Sequence, residues 1–162
     1  MKIIKISTCL KTAALLAGVA TLCACASSHY KDSLKHKDRA TGTYTADGKR
    51  YTVLTPRQAA GYKETGIAVV RNHGVFAAHT ASGEKQRRWT RAAAHRTLPL
   101  PCIVRMTNLE NGKVMRVRVN DRGPYNSNAM ISVTPRVANA LGFYEKGQAR
   151  VKIEVIDASP RR

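Results

Sequence analysis

The apolar positions of this chain fall in short runs separated by turns. Within residues 114–120, Met115, Val117 and Val119 fall on one face and Arg116, Arg118 and Asn120 on the other, the period of a half-buried strand. The run 101–108, "PCIVRMTN", precedes it, and Leu109-Glu110-Asn111-Gly112 lies between them. Asn-Gly between two such runs predicts a hairpin. Further strands are predicted at "IAVV" (67–70), at the start of "GVFAAHTASGE" (74–84) ahead of its Ser-Gly turn, and at "ARVKIEVI" (149–156). Two short helices are predicted. "TRAAAH" (90–95) is Ala-rich. "TPRVANALGF" (134–143) has Thr134 as N-cap, Pro135 at the first helical position and Gly142 as the stop. Many short strands with a few small helices imply a mainly β fold, a small barrel with crossover helices. There is no internal repeat and no low-complexity tract.

The N-terminal pattern is different. Lys2, Lys5 and Lys11 precede an apolar stretch from Thr12 to Leu22, and "LCAC" follows at 22–25. This is the pattern of a bacterial export signal, too short and interrupted for a good membrane span. Its end resembles the lipobox of bacterial lipoproteins, which makes 1–24 a signal peptide and Cys25 the lipidated residue. Several acyl chains would hold the chain stably on a membrane, each buried methylene adding about 0.8 kcal/mol. Ala26 in place of Asp favours the periplasmic face of the outer membrane over retention at the cytoplasmic membrane. Residues 25–47 are polar and aperiodic and are expected to be a flexible tether. The folded domain is expected at 48–162.

Processing at Cys25 would remove Cys9 and Cys23 and acylate Cys25, leaving Cys102 with no disulfide partner. In the apolar run "LPLPCIV", Cys102 is expected to be a buried small hydrophobe. The whole chain has 28 basic and 10 acidic residues, and without the three signal lysines its formal charge is +15. An exported protein does not meet nucleic acid. The anionic surfaces outside the cytoplasm are phospholipid headgroups, lipopolysaccharide and the carboxylates of peptidoglycan.

Three polar residues are candidates for chemistry: Glu84 in "TASGE", His95 in "AAAHRTLPLP" and Asp121 in "VNDRGPY". Each also has a plain structural use. Glu84 suits an exposed turn. His95 suits a helix end, where imidazolium favours the dipole. Asp121 suits pairing with Arg122 or bonding of turn amides. If the strand persists, parity continues Asp121 on the Met115–Val119 face, and Gly123-Pro124 then ends it. No Cys/His metal spacing, Gly-rich phosphate loop or Gly-x-Ser-x-Gly motif occurs, so no metal or cofactor is expected.

The stretch "RAAAHRTLPLPCIVRMTNLENGKVMRVRVNDRGPY" (91–125) resembles the rare lipoprotein A family. The resemblance extends over "GKRYTVL", "YKETGIA", "TASGE", "VANALGF" and "GQARVKIEVI", roughly residues 48–157. It implies a double-psi β-barrel and an envelope lipoprotein. It also implies endolytic lytic transglycosylase activity on peptidoglycan glycan strands, preferably stripped of stem peptides. Asp121, Glu84 and His95 match the family's acid, glutamate and histidine. By this resemblance Asp121 is the acid that becomes a base, and Glu84 raises its pKa or stabilises positive charge. His95 orients the pair or bonds a sugar hydroxyl. Arg96 and Arg122 suit the lactyl carboxylate of the wall sugar, and Asn120 and Tyr125 join them as substrate-binding candidates. The expected partners are glycan strands and, through the lipid, a membrane. A monomer is expected.

Three departures from the family pattern stand out. Val70 and Arg71 occupy two positions that are aromatic in the family. Val75 to Ala78 replace "FHGR". Ser132 replaces an acid. Two other functions therefore stay open: a wall-binding lipoprotein without turnover, and a glycoside hydrolase using both Glu84 and Asp121.

Overall fold

The computed structural model describes residues 42–71, 79–85, 89–125 and 128–159. The signal, Cys25, most of the expected tether, and the predicted strand residues 74–78 lie outside them. Eight strands are present: β1 Thr43–Ala46, β2 Lys49–Thr52, β3 Lys63–Val70, β4 Ala92–His95, β5 Cys102–Asn108, β6 Val114–Asp121, β7 Ile131–Val133 and β8 Gln148–Asp157. Two helices, α1 Pro56–Ala59 and α2 Pro135–Leu141, complete the described elements.

Six strands close into a barrel in the order β3-β7-β4-β6-β5-β8. β3 and β7 run parallel, as do β4 and β6, and every other adjacent pair is antiparallel. The two parallel pairs, brought together across the β4–β7 seam, make this the double-psi β-barrel that the family resemblance implied. Closure leaves no free sheet edge in the barrel. Its core is formed by Val104, Met106, Val117, Val119, Ile131, Val133, Val151 and Ile153, all fully buried. Each such side chain contributes about 1.5–3 kcal/mol when removed from water, so the barrel needs no disulfide. Cys102 is buried among them, and burial pushes its thiol up to about 12, against weaker opposing pulls from Arg122 and Arg118. It is the inert hydrophobe expected.

The β5–β6 hairpin, α2 and β8 form where predicted. Gly142 ends α2 in the left-handed region at φ 77°, with Phe143 N–H bonding Ala138 O at 3.0 Å. Thr134 occupies the N-cap position, but its hydroxyl donates to Thr90 O at 2.6 Å instead of capping the helix. α1, absent from the sequence expectation, has a capping box between Thr55 and Gln58, with Pro56 opening the helix.

Two expectations need correction. Residues 92–95 are a strand, not a helix, and all four are buried. β4 sits between β6 and β7, where pairing on both edges overrides the local preference of three alanines. Residues 43–46, expected as aperiodic tether, are a strand. β1 pairs with β2, and Tyr44 is buried against Tyr51 and Tyr125, with ring centroids 5.3 and 6.3 Å away.

Candidate active site

Asp121 closes β6 beside the turn 80–84. That turn has Gly83 at φ 81°, where a side chain would be strained, and is held by Thr80 N–H to Glu84 O at 2.8 Å. The parity expectation for Asp121 fails for a local reason. The β4–β6 register jumps from Ala93↔Val119 to Ala94↔Asp121, so Asn120 is an extra residue in the ladder. A bulge of this kind re-aims side chains. Asp121 leaves the Val117–Val119 face and, with Asn120, addresses the 80–84 turn.

Both oxygens of Asp121 accept hydrogen bonds. Oδ1 receives the backbone amides of Ala81 at 2.9 Å and Arg122 at 2.8 Å. Oδ2 receives Arg71 Nη1 at 2.6 Å. The turn-amide role weighed for Asp121 is therefore real, but it engages one oxygen and leaves the other toward the arginine.

Glu84 lies next along the same wall. Arg118 Nη2 donates to its Oε1 at 2.8 Å, and Asn120 Nδ2 to its Oε2 at 2.8 Å. Burial pushes the Glu84 carboxyl up. The hydrogen bonds from Arg118, Asn120 and Ser82 and the Arg118 charge outweigh burial and hold it below 4.5. Such a group is suited to stay ionised. A small cavity alongside is lined by Arg71, Thr80, Thr90, Asn120, Ser132 and Thr134, among others.

The remaining candidates are built into other surroundings. His95 is buried, and its Nδ1 accepts the amides of Thr97 and Leu98, both at 3.2 Å. That assigns the ring proton to Nε2, which faces Glu64 Oε2 at 3.2 Å. Tyr62 donates to the same oxygen at 2.6 Å. The His95 bond lowers the Glu64 carboxyl most, burial opposes it, and Tyr62 adds to the lowering. Burial and then Glu64 raise the Tyr62 phenol. His95 is thus bonded to Glu64 and to backbone, and its reach to Asp121 is through the chain: its carbonyl accepts Arg122 Nη1 at 3.1 Å.

The two arginines expected at a substrate carboxylate donate to backbone carbonyls. Arg96 donates through Nε to Pro124 O at 2.7 Å and through Nη2 to Ala129 O. Arg122 is buried, donates through Nη1 to Leu98 O at 2.5 Å, and lies over the Tyr44 ring. Burial lowers its guanidinium. Tyr125 packs against Tyr44 and Tyr51. Sequence reasoning noted Arg71 only as a missing aromatic and passed over Glu64 and Trp89. Trp89 is 74% exposed and precedes Thr90 of the cavity. The only available signal for it was that it is the one tryptophan in the chain.

Glu64 and Glu84 make stability depend on acid pH. Their folded-state values lie below the ordinary 4.5. Their contribution is present above that value and is lost as pH falls through the depressed folded values. The melting temperature should therefore fall in this acid range, and Glu84→Gln should flatten the slope. An unchanged slope in a pH series of thermal melts would exclude the Arg118–Glu84 pair as its source.

Residues 65–153 match the family model described as "Lytic transglycolase". Over 117 residues the chain is 44% identical to the endolytic peptidoglycan transglycosylase RlpA of Neisseria meningitidis serogroup A, covering 72% of this chain and 48% of that protein. Over 114 residues it is 45% identical to the Pseudomonas aeruginosa protein of the same name (strain UCBPP-PA14), covering 70% of this chain and 33% of that one. The chain thus spans half or less of the length of these relatives. Among solved structures, a Streptomyces papain inhibitor superposes with a TM-score of 0.48 at 18% identity, over 59% of this chain and 96% of that one. The model match covers more than half of the 162 residues, and the chain belongs to the lytic transglycolase family, grouping there with the rare lipoprotein A proteins.

Proposed function

We propose that this domain cleaves peptidoglycan glycan strands, preferably those without stem peptides, as a lytic transglycosylase with Asp121 as its single acid and base. The observation that carries this is the division of labour in the Asp121 carboxylate. Oδ1 is fixed by two backbone amides, and Oδ2, held by the Arg71 side chain, is the oxygen that can take part in proton transfer once that contact opens. Protonated at Oδ2, Asp121 gives its proton to the glycosidic oxygen as the bond to the anomeric carbon breaks. The 6-hydroxyl of the same muramic acid attacks that carbon and returns its proton to Oδ2. The products are a new 4-hydroxyl end and a 1,6-anhydro end, with no water consumed. Internal attack has its nucleophile already in place, so a second carboxylate holding water is unnecessary. Glu84, held by Arg118 and Asn120 and suited to stay ionised, would stabilise the positive charge that develops on the sugar ring. Its engaged oxygens favour this role over that of a hydrolase base.

One observation favours a second reading, binding without turnover: Arg71 covers Oδ2. Incubating the soluble domain with stem-peptide-free strands and analysing the products by mass spectrometry separates the cases. Anhydro ends support the transglycosylase, reducing ends a hydrolase, and intact strands the binder.

The cellular setting in this proposal is the periplasmic face of the outer membrane, reached through lipidation at Cys25. Cys25→Ser should lose acyl-lipid labelling and release the protein in soluble form. Retention on membranes after a high-salt wash would show that another attachment holds it.

A further inference from the structure

We infer that Arg71 is a latch on the working oxygen of Asp121, opened by a carboxylate on the substrate beside the bond to be cleaved. This inference rests on the transglycosylase reading of the site. A proton on Oδ2 and the Arg71 N–H compete for the same place. Oδ1 already accepts two amides, and Arg71 Nη1 sits 2.6 Å from Oδ2. The pair is largely withdrawn from water, with side chains 16% and 19% exposed, so bulk solvent does little to loosen it. Asp121 therefore cannot act as an acid until the guanidinium moves.

The site itself indicates what would move it. Arg96 and Arg122 donate to backbone carbonyls, and Arg118 is engaged by Glu84. Arg71 instead is paired with the acid itself, and it lines the same cavity as Thr80, Thr90, Asn120 and Ser132. Its planar guanidinium carries five N–H groups in a fork that suits a second carboxylate. Arg71 follows directly on β3 and is tethered by its backbone N–H to Val133 O at 2.8 Å, so the side chain can turn without disturbing the barrel. In a glycan strand the lactyl ether of muramic acid carries such a carboxylate. It is free when the stem peptide is gone and an uncharged amide when the peptide is attached. A free lactyl group would draw Arg71 off Oδ2 and leave Asp121 to take up a proton. Arg71 is thus a positioning and specificity residue, and it stands where the family has an aromatic.

The test compares stem-peptide-free strands with the same strands after their lactyl carboxylates are converted to methylamides. The parental protein should favour the free-carboxylate strands by about tenfold or more in kcat/KM, and in Kd by calorimetry. Arg71→Gln should treat the two alike, and should process the amidated strands at a kcat above the parental one. Arg71→Lys, which keeps the charge, should recover part of the preference. The inference is overturned if Arg71→Gln keeps the parental preference, if the parental protein has none, or if Arg71→Gln fails to raise kcat on amidated strands. If the parental protein makes no anhydro ends, the transglycosylase reading fails, and the binding comparison alone then decides whether Arg71 reads the carboxylate. Should Arg71→Gln not fold, the parental preference and its partial retention in Arg71→Lys carry the decision.

Discussion

Asp121→Asn should lower the rate of anhydro-end formation by about 10²–10⁴-fold, the range for loss of a general acid–base group, while glycan binding survives. The substitution keeps the shape of the side chain. Its amide oxygen can still accept the Ala81 and Arg122 amides that position Oδ1. The change falls on the other atom. An NH2 group replaces Oδ2 and carries no transferable proton, and it meets Arg71 Nη1 donor to donor. Arg71 must then turn away, so binding of free-carboxylate strands should hold or tighten as turnover disappears. That combination distinguishes a lost acid from a damaged fold, which circular dichroism checks independently. A folded Asp121→Asn protein that forms anhydro ends at the parental rate would remove Asp121 from the mechanism.

Phe143→Ala should destabilise the domain by about 3–5 kcal/mol, measured by chemical denaturation. Phe143 is 1% exposed and among the largest fully buried side chains. It follows directly on the left-handed Gly142, and its N–H bonds Ala138 O, so the chain direction at the end of α2 drives the ring into the core. Asn108 and Asn111 also fasten this end of the helix, both donating to Leu141 O at 2.9 Å. With the backbone held there, the surroundings have little freedom to collapse into the space left by the ring, which places the cost in the cavity-forming range. A loss below about 1 kcal/mol would mean that the helix end relaxes freely.

Several features were legible because their cause is local. The Asn111-Gly112 turn between two apolar runs specified the β5–β6 hairpin, and Pro135 and Gly142 bounded α2. Alternation along 149–156 marked β8. An apolar neighbourhood sufficed to bury Cys102. Where cause is not local, sequence reading failed. Ala92–His95 has helix-forming residues and no alternation, because a strand paired on both edges and covered on both faces needs none. The bulge at Asn120 left no mark in the alternation that ran up to it, yet it decides which way Asp121 faces.

Local pattern carries the strand-rich class and the turns, and the family resemblance singles out Asp121 among the acids. Tertiary structure alone decided what each charged group is for. An arginine's use depends on which acceptor meets its donors, and here the acceptors come from distant parts of the chain: Arg71 meets Asp121 across 50 positions, Arg118 meets Glu84 across 34, and Arg96 meets Pro124 across 28. Barrel closure creates those meetings. It brought Arg96 and Arg122, substrate candidates in the sequence, onto backbone carbonyls of the loops, and it set Arg71, which looks like a lost aromatic, on the oxygen where the chemistry is proposed to occur.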